Sequence, residues 1–291
     1  MTMRFAVTRP TPARPRQPVS SATQTTLYVI LSHPPRTAML MLEHKGIPYR
    51  RVELPAGLQA VALRLLGFPG NKAPFRRIDG RLHRPLAMAD RMGTVPTLRI
   101  GDEWVATNRN IARFLDRLQP DPPLFPAAPE RRLAVEEAER WGDEIFQMAT
   151  RRLVLASGLH GLDGLVNRGE EGRLGPLLSR RASVRFAVGR IVARFAFAVN
   201  AQSERQLLAE LPSMLDRIDA WIEGGVLNGE QLNAADFMIV TSLALLCYRP
   251  DLRPELERRP AIRLIDRVLP EPATNAGDTF APASESKPQR C

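Results

Sequence analysis

An α/β domain followed by an all-helical domain is the fold class this sequence predicts, and three observations carry it. A strand–helix–strand pattern opens at Leu27, a second pair of strands flanks Gly101-Asp102, and beyond a Pro-rich stretch at 119–129 only helical periodicity is found. The predicted organisation is a disordered extension over 1–25, an α/β domain over 26–118, a linker over 119–129, a helical domain over 130–269 and a disordered tail over 270–291. A chain of 291 residues is long enough for one large or two ordinary domains, each with its own core.

Leu27-Tyr28-Val29-Ile30-Leu31 is a short apolar run of strand type. Ser32-His33-Pro34-Pro35 breaks it, and prolines suit a first helical turn because the N–H they lack has no partner there. A helix is predicted over 36–45, ended by Gly46 at the position that favours a left-handed residue. The run 47–54 is the next strand, and a crossover helix makes the two strands parallel. A short helix is expected over 60–66, then a long loop over 67–93 without periodicity. Strands 94–100 and 103–106 form a hairpin around Gly101-Asp102. Asn108 is the expected N-cap of a helix running to Leu118.

In the second half, a helix from Pro129 is expected to carry Leu133, Val135, Ala138, Trp141, Ile145 and Met148. Further helices are expected over 183–200 and 204–223. Leu232-Asn233-Ala234-Ala235-Asp236-Phe237 reads as a capping box with a hydrophobic staple, opening a buried helix over 237–248.

The formal net charge is +10, nearly all of it from arginine, since only Lys45, Lys72 and Lys287 are lysine. Arginines are mixed with acids along the chain and lack interleaved aromatic residues, which argues against a nucleic-acid partner. The run 237–248 is too short to span a bilayer, so no membrane partner is expected. Cys247 and Cys291 have no metal or redox spacing, and a reducing cytoplasm is the expected compartment. No metal is expected.

These pieces in this order resemble the glutathione transferase family. Ser32 with the segment ending Gly46-Ile47-Pro48-Tyr49 is similar to its first strand–helix unit, and Val95-Pro96-Thr97-Leu98 to its Val-Pro-x-Leu turn. Asn108 to Leu115 looks like its third helix, and 232–237 like the start of its buried helix. The resemblance covers about 27–268 and implies a thioredoxin-like domain followed by a helical bundle.

The resemblance also implies a site. Ser32 stands where the family hydrogen-bonds the sulfur of glutathione, its co-substrate. A thiol of pKa ~8.5 is mostly protonated at neutral pH, so an added donor that favours the thiolate favours nucleophilic attack. Pro96 is then cis, and the backbone of Val95 pairs with the cysteinyl unit. Thr107 and Asn108 stand where the family carries Glu-Ser or Gln-Ser, and neither supplies the acid. Asn108 at a helix start is a candidate for the γ-glutamyl carboxylate, with Arg109 as helper. His33 is read as an added donor or base, or as a surface residue. The expected function is activation of a thiol for conjugation to a small electrophile, as in detoxification, with a homodimer as the family's assembly. The alternative is a catalytically inactive binding protein on the same fold.

Overall fold

The computed structural model describes residues 24–30, 32–55, 57–71, 77–78, 81–82, 87–88, 91–160 and 197–270. The expectations for 1–23, 183–196 and 271–291, Cys291 included, lie outside the described residues.

Strand β1 (Thr25–Val29) leads into helix α1 (Pro34–His44), and strand β2 (Arg50–Glu53) returns parallel to β1, with Thr26 opposite Arg50 and Val29 opposite Glu53. Helix α1 starts two residues earlier than expected, with Pro34 and Pro35 in its first turn. Gly46 holds φ at +63°, a conformation any side chain would strain. Helix α2 (Gln59–Leu65) follows. The 67–93 stretch is not wholly a loop. Two-residue strands β3 (Arg77–Ile78) and β4 (Arg81–Leu82) pair antiparallel in it, too short to show a period in sequence.

Strands β5 (Thr97–Ile100) and β6 (Glu103–Ala106) form the hairpin, and the main sheet has the order β2-β1-β5-β6. Helix α3 (Asn108–Leu118) then crosses to the helical half.

That half contains α4 (Pro129–Trp141), a π-helical segment (Gly142–Phe146), α5 (Gln147–His160), α6 (Ala201–Glu223), α7 (Ala234–Leu246), α8 (Arg253–Glu257) and α9 (Ala261–Val268). The expected single apolar face from 129 onward is corrected here. The π-helical turn holds extra residues, so Phe146 rather than Ile145 reaches the core, and Ile145 and Leu133 stand exposed. Gly142 lets this segment approach α7 closely, because a Cβ there would lie 3.0 Å from side-chain atoms of both Met238 and Ile239. The expected helix over 183–200 does not reach its end. Residues 197–200 are non-helical, and Asn200 caps α6 through a capping box with Ser203.

The largest core cluster is shared. It holds Leu27, Met41, Leu98 and Ile111 together with Phe146, Leu211, Phe237 and Val240. Helix α1 packs on α7, and the Thr37 and Thr241 hydroxyls meet across that contact at 2.9 Å. Lys45 is fully buried, satisfied by Asp116 at 2.9 Å, by the Gln119 carbonyl at 2.7 Å and by that of Pro122. The Asp116 carboxylate also accepts the Leu124 amide, so it ties α3 to the connection before α4. All thirteen residues of α7 are buried.

Candidate functional site

Strand register gathers the candidate residues at one end of the sheet. Tyr28 on β1 lies opposite Thr97 on β5, and Thr97 lies opposite Ala106 on β6. The residues leaving β1, entering β5 and leaving β6 therefore meet: Ser32-His33, Val95-Pro96 and Thr107-Asn108. The Thr107 amide donates to the Pro96 carbonyl at 3.1 Å. The Asn108 amide nitrogen donates to the Pro34 carbonyl at 3.0 Å, tying the start of α3 to the start of α1.

The Val95–Pro96 peptide is cis. Ser32 is partly exposed, and its amide donates to the Ile30 carbonyl at 2.8 Å. Thr107, not Asn108, caps α3: its hydroxyl accepts the Asn110 amide at 3.3 Å. Thr107 does so at φ +76°, an unusual conformation for a β-branched residue and one that stores on the order of 1–3 kcal/mol. Asn108 is the first helical residue and is buried, so its role is packing and tethering instead of capping. Its donor is committed to Pro34, while Oδ1 is buried with no hydrogen-bond partner among the described residues. The atom it offers is an acceptor.

Arg109 turns to the helical domain. It pairs with Glu144 at 3.1 Å and approaches Glu139 at 3.6 Å. Glu139 is fully buried and is also held by both of its oxygens on Arg113, at 2.8 and 3.0 Å. Burial raises the Glu139 carboxyl to about 7 against the pull of the two arginines. This cluster locks the thioredoxin-like part to the π-helical segment just behind the site.

His33 is a correction. It is not a surface residue: it is only 2% exposed, and its Nε2 has no hydrogen-bond partner among the described residues. Burial holds its imidazole well below the usual histidine value, and the charge of Arg151 on α5 pushes the same way. His33 is therefore neutral near pH 7.

The start of α1 is poor in donors. Pro34 and Pro35 have no N–H, and the Arg36 amide is used by the His33 carbonyl at 2.9 Å. A free helix N-terminus would present several amides to an anion; this one does not.

On the helical side, Trp141 and Phe146 belong to the shared core, stacked at 5.2 Å, and Met214 packs against that core. Met148 instead packs with Phe197, apart from it. The Arg151 guanidinium lies 5.4 Å from the Phe197 ring centre and donates to Gln147 Oε1 at 3.4 Å. The sequence did not single out Arg151 or Gln147; the packing of α5 against α7 places them.

A thioredoxin-like domain with a four-stranded mixed sheet, joined to a helical domain, defines the glutathione-transferase fold, and this chain has it. Its described residues can be compared with solved structures, all matched at low identity. A β-etherase, LigF, from Sphingobium sp. strain SYK-6 matches with a TM-score of 0.56 and 16% identity, over 86% of this chain and 96% of that one. A glutathione S-transferase of Ceriporiopsis subvermispora, solved in complex with glutathione, matches with a TM-score of 0.54 and 18% identity, over 84% and 98%. A GST-like protein from Pseudomonas syringae matches with a TM-score of 0.50 and 18% identity, over 84% of this chain but only 66% of that one. No protein-family model matches the sequence, and no curated protein does.

Among the described residues no group of His, Cys, Asp or Glu is arranged to hold a metal ion. No described helix is long and apolar enough to cross a membrane.

Proposed function

We propose that the chain binds a glutathione-like thiol at this sheet end and activates it for attack on a small electrophile. The observation that carries the reading is the convergence of Ser32, Val95-Pro96 and Thr107-Asn108 on one edge of the fold. Ser32 is the proposed donor to the sulfur. Among the described residues the Val95 amide and carbonyl take no backbone partner, which suits an extended peptide ligand. The unpartnered Asn108 Oδ1 is proposed to accept from the γ-glutamyl ammonium, in the absence of the expected acid. A small electrophile would then lie toward Met148 and Phe197. The glutathione held by the C. subvermispora neighbour supports the choice of thiol. A reducing cytoplasm, in which Cys247 stays a reduced thiol outside any disulfide, is part of the proposal. So is a homodimer, for which the exposed row of Leu58 at the cap of α2 and Val61 and Leu65 on it is the supporting observation.

Calorimetric titration with glutathione, followed by a conjugation assay on wild type and Ser32→Ala, tests the reading. Binding is expected with the wild type, and conjugation is expected to fall at least about tenfold in Ser32→Ala. Absence of thiol binding overturns the reading. The second reading, a binding protein without catalysis, is favoured by the amide-poor start of α1. It predicts thiol binding with no conjugation in either protein.

A further inference from the structure

We propose that Gly70 and Gly93 are positioning residues for the candidate thiol site: they let the two ends of the 67–93 stretch close against helix α2, and that closure fixes the backbone of Val95 for the ligand. The inference rests on the thiol-binding reading above and deepens it by naming what holds the turn in place.

A long connection separates α2 from β5, and chain length alone does not set where such a connection re-enters the sheet. Here its two ends are joined. The Phe68 amide donates to the Leu63 carbonyl at 2.9 Å, and Arg64 Nη1 donates to the Phe68 carbonyl at 3.2 Å, so the chain leaving α2 folds back on the helix. The Asn71 amide then donates to the Arg91 carbonyl at 3.1 Å, which ties the outgoing end to the returning one. Close approach at both ends requires glycine. A Cβ on Gly70 would lie 2.6 Å from the Arg91 carbonyl oxygen, a backbone atom that cannot turn aside. A Cβ on Gly93 would lie 3.1 and 3.2 Å from Cδ1 and Cβ of Leu63 and 3.3 Å from Cδ1 of Phe68.

Val95 follows Gly93 by two residues. Its side chain is buried in the same small core as Leu63 and Phe68, together with Tyr28 of β1 and Ala106 of β6. Pro96 is held from the other side, by the Thr107 amide on its carbonyl. The turn is therefore gripped before and after the peptide unit with which the proposed ligand pairs. A peptide-like ligand gains most from a backbone that is already ordered; where binding must order it, the conformational entropy lost is subtracted from the affinity. Thr107 and Asn108 supply no acid to offset such a loss. Ser32 belongs to the segment leaving β1, so the grip on the ligand's backbone and the activation of its sulfur are separable.

The test compares three alanine variants of the full chain, titrated with glutathione and with S-methylglutathione at a temperature where circular dichroism shows each to be folded. Gly67 is the control. It holds φ at +94° and Gly70 at +84°, so alanine strains the backbone at both, but a Cβ on Gly67 meets nothing within 4 Å. Gly67→Ala and Gly70→Ala are both expected to lower the melting temperature. Of these two, Gly70→Ala alone is expected to lower affinity, about tenfold or more and equally for the two ligands, with Gly67→Ala within about twofold of wild type. Gly93→Ala, whose Cβ meets side chains, is expected to lower affinity in the same way and carries the test if Gly70→Ala does not fold. The thiol pKa of bound glutathione, read by ultraviolet titration, is expected to stay that of wild type in every variant. Unchanged affinity in Gly70→Ala and Gly93→Ala, or an equal loss in Gly67→Ala, overturns this inference alone. Failure of wild type to bind either ligand overturns the thiol reading beneath it as well.

Discussion

Two helix starts in this molecule are built in opposite ways. At the start of α7, every device for satisfying a helix N-terminus is present. Asn233 Oδ1 accepts the amides of Ala235 and Asp236 at 2.9 and 3.3 Å, and Asp236 accepts those of Asn233 and Asn228 at 2.9 and 2.7 Å. At the start of α1, His33 makes no side-chain cap, two amides are replaced by proline rings, and a buried imidazole nitrogen has no hydrogen-bond partner among the described residues. The first start spends its polar groups on stability. The second leaves polar groups unspent at the edge where the candidate site lies, as a ligand site requires.

The largest effect that could break this contrast is at Asp236. Asp236→Ala removes the acceptor of two backbone amides in a buried place and is expected to cost about 3 kcal/mol of unfolding free energy by denaturant titration. A loss under about 1 kcal/mol would show that the α7 start is not held by the capping box described. Asn233→Ala is expected to cost less, about 1–2 kcal/mol in the same titration.

The two starts also differ in proton linkage. Burial raises the Asp236 carboxyl from 3.8 to about 6, so between these values the folded chain holds a proton that the unfolded chain has lost. Its contribution to stability is therefore present at low pH and falls as pH rises from about 4 to about 6. His33 is shifted down from 6.5, so on acidification the unfolded chain takes up a proton first, and its contribution falls as pH drops below about 6.5. Denaturation midpoints measured across pH 4–7 for Asp236→Asn and His33→Gln, each subtracted from wild type, are expected to slope in opposite senses; equal slopes would erase the distinction. The smallest stability effect is expected from replacing Pro34 and Pro35 together by alanine, within about 1 kcal/mol, because the prolines already fit the helical conformation. With two amides restored, the same variant is expected to lower the pKa of a bound thiol; an unchanged value would mean that the missing amides do not matter at the sulfur.

The α/β topology was legible because its signals are local. An apolar run, a helix start and a C′ glycine at Gly46 specify the parallel unit, and Gly101-Asp102 specifies the hairpin. The α7 start was legible to the residue, since a capping box needs only side chains three positions apart. Asn108 was misread as a cap because the residue before it, Thr107, adopts a positive φ that a β-branched side chain does not advertise. The face of α4 and α5 was misread at Ile145 because periodicity assumes 3.6 residues per turn, and the π-helical segment at 142–146 breaks that assumption. His33 was read as an added donor or base, or as a surface residue, because nothing near it in the sequence shows that it is buried.

The amino-acid sequence by itself determined the parallel strand–helix–strand unit, the hairpin around Gly101-Asp102 and the capping of α7, while the cis form of Val95-Pro96 came from the family resemblance. These depend on backbone preferences and contacts within a few residues. Only the tertiary structure decided which polar groups lack partners among the described residues, that His33 is buried and which carboxylates hold Arg109. Burial and charge proximity depend on segments far apart in the chain: Thr37 and Gln147 come near one another only because α1 and α5 pack against the same apolar helix, α7.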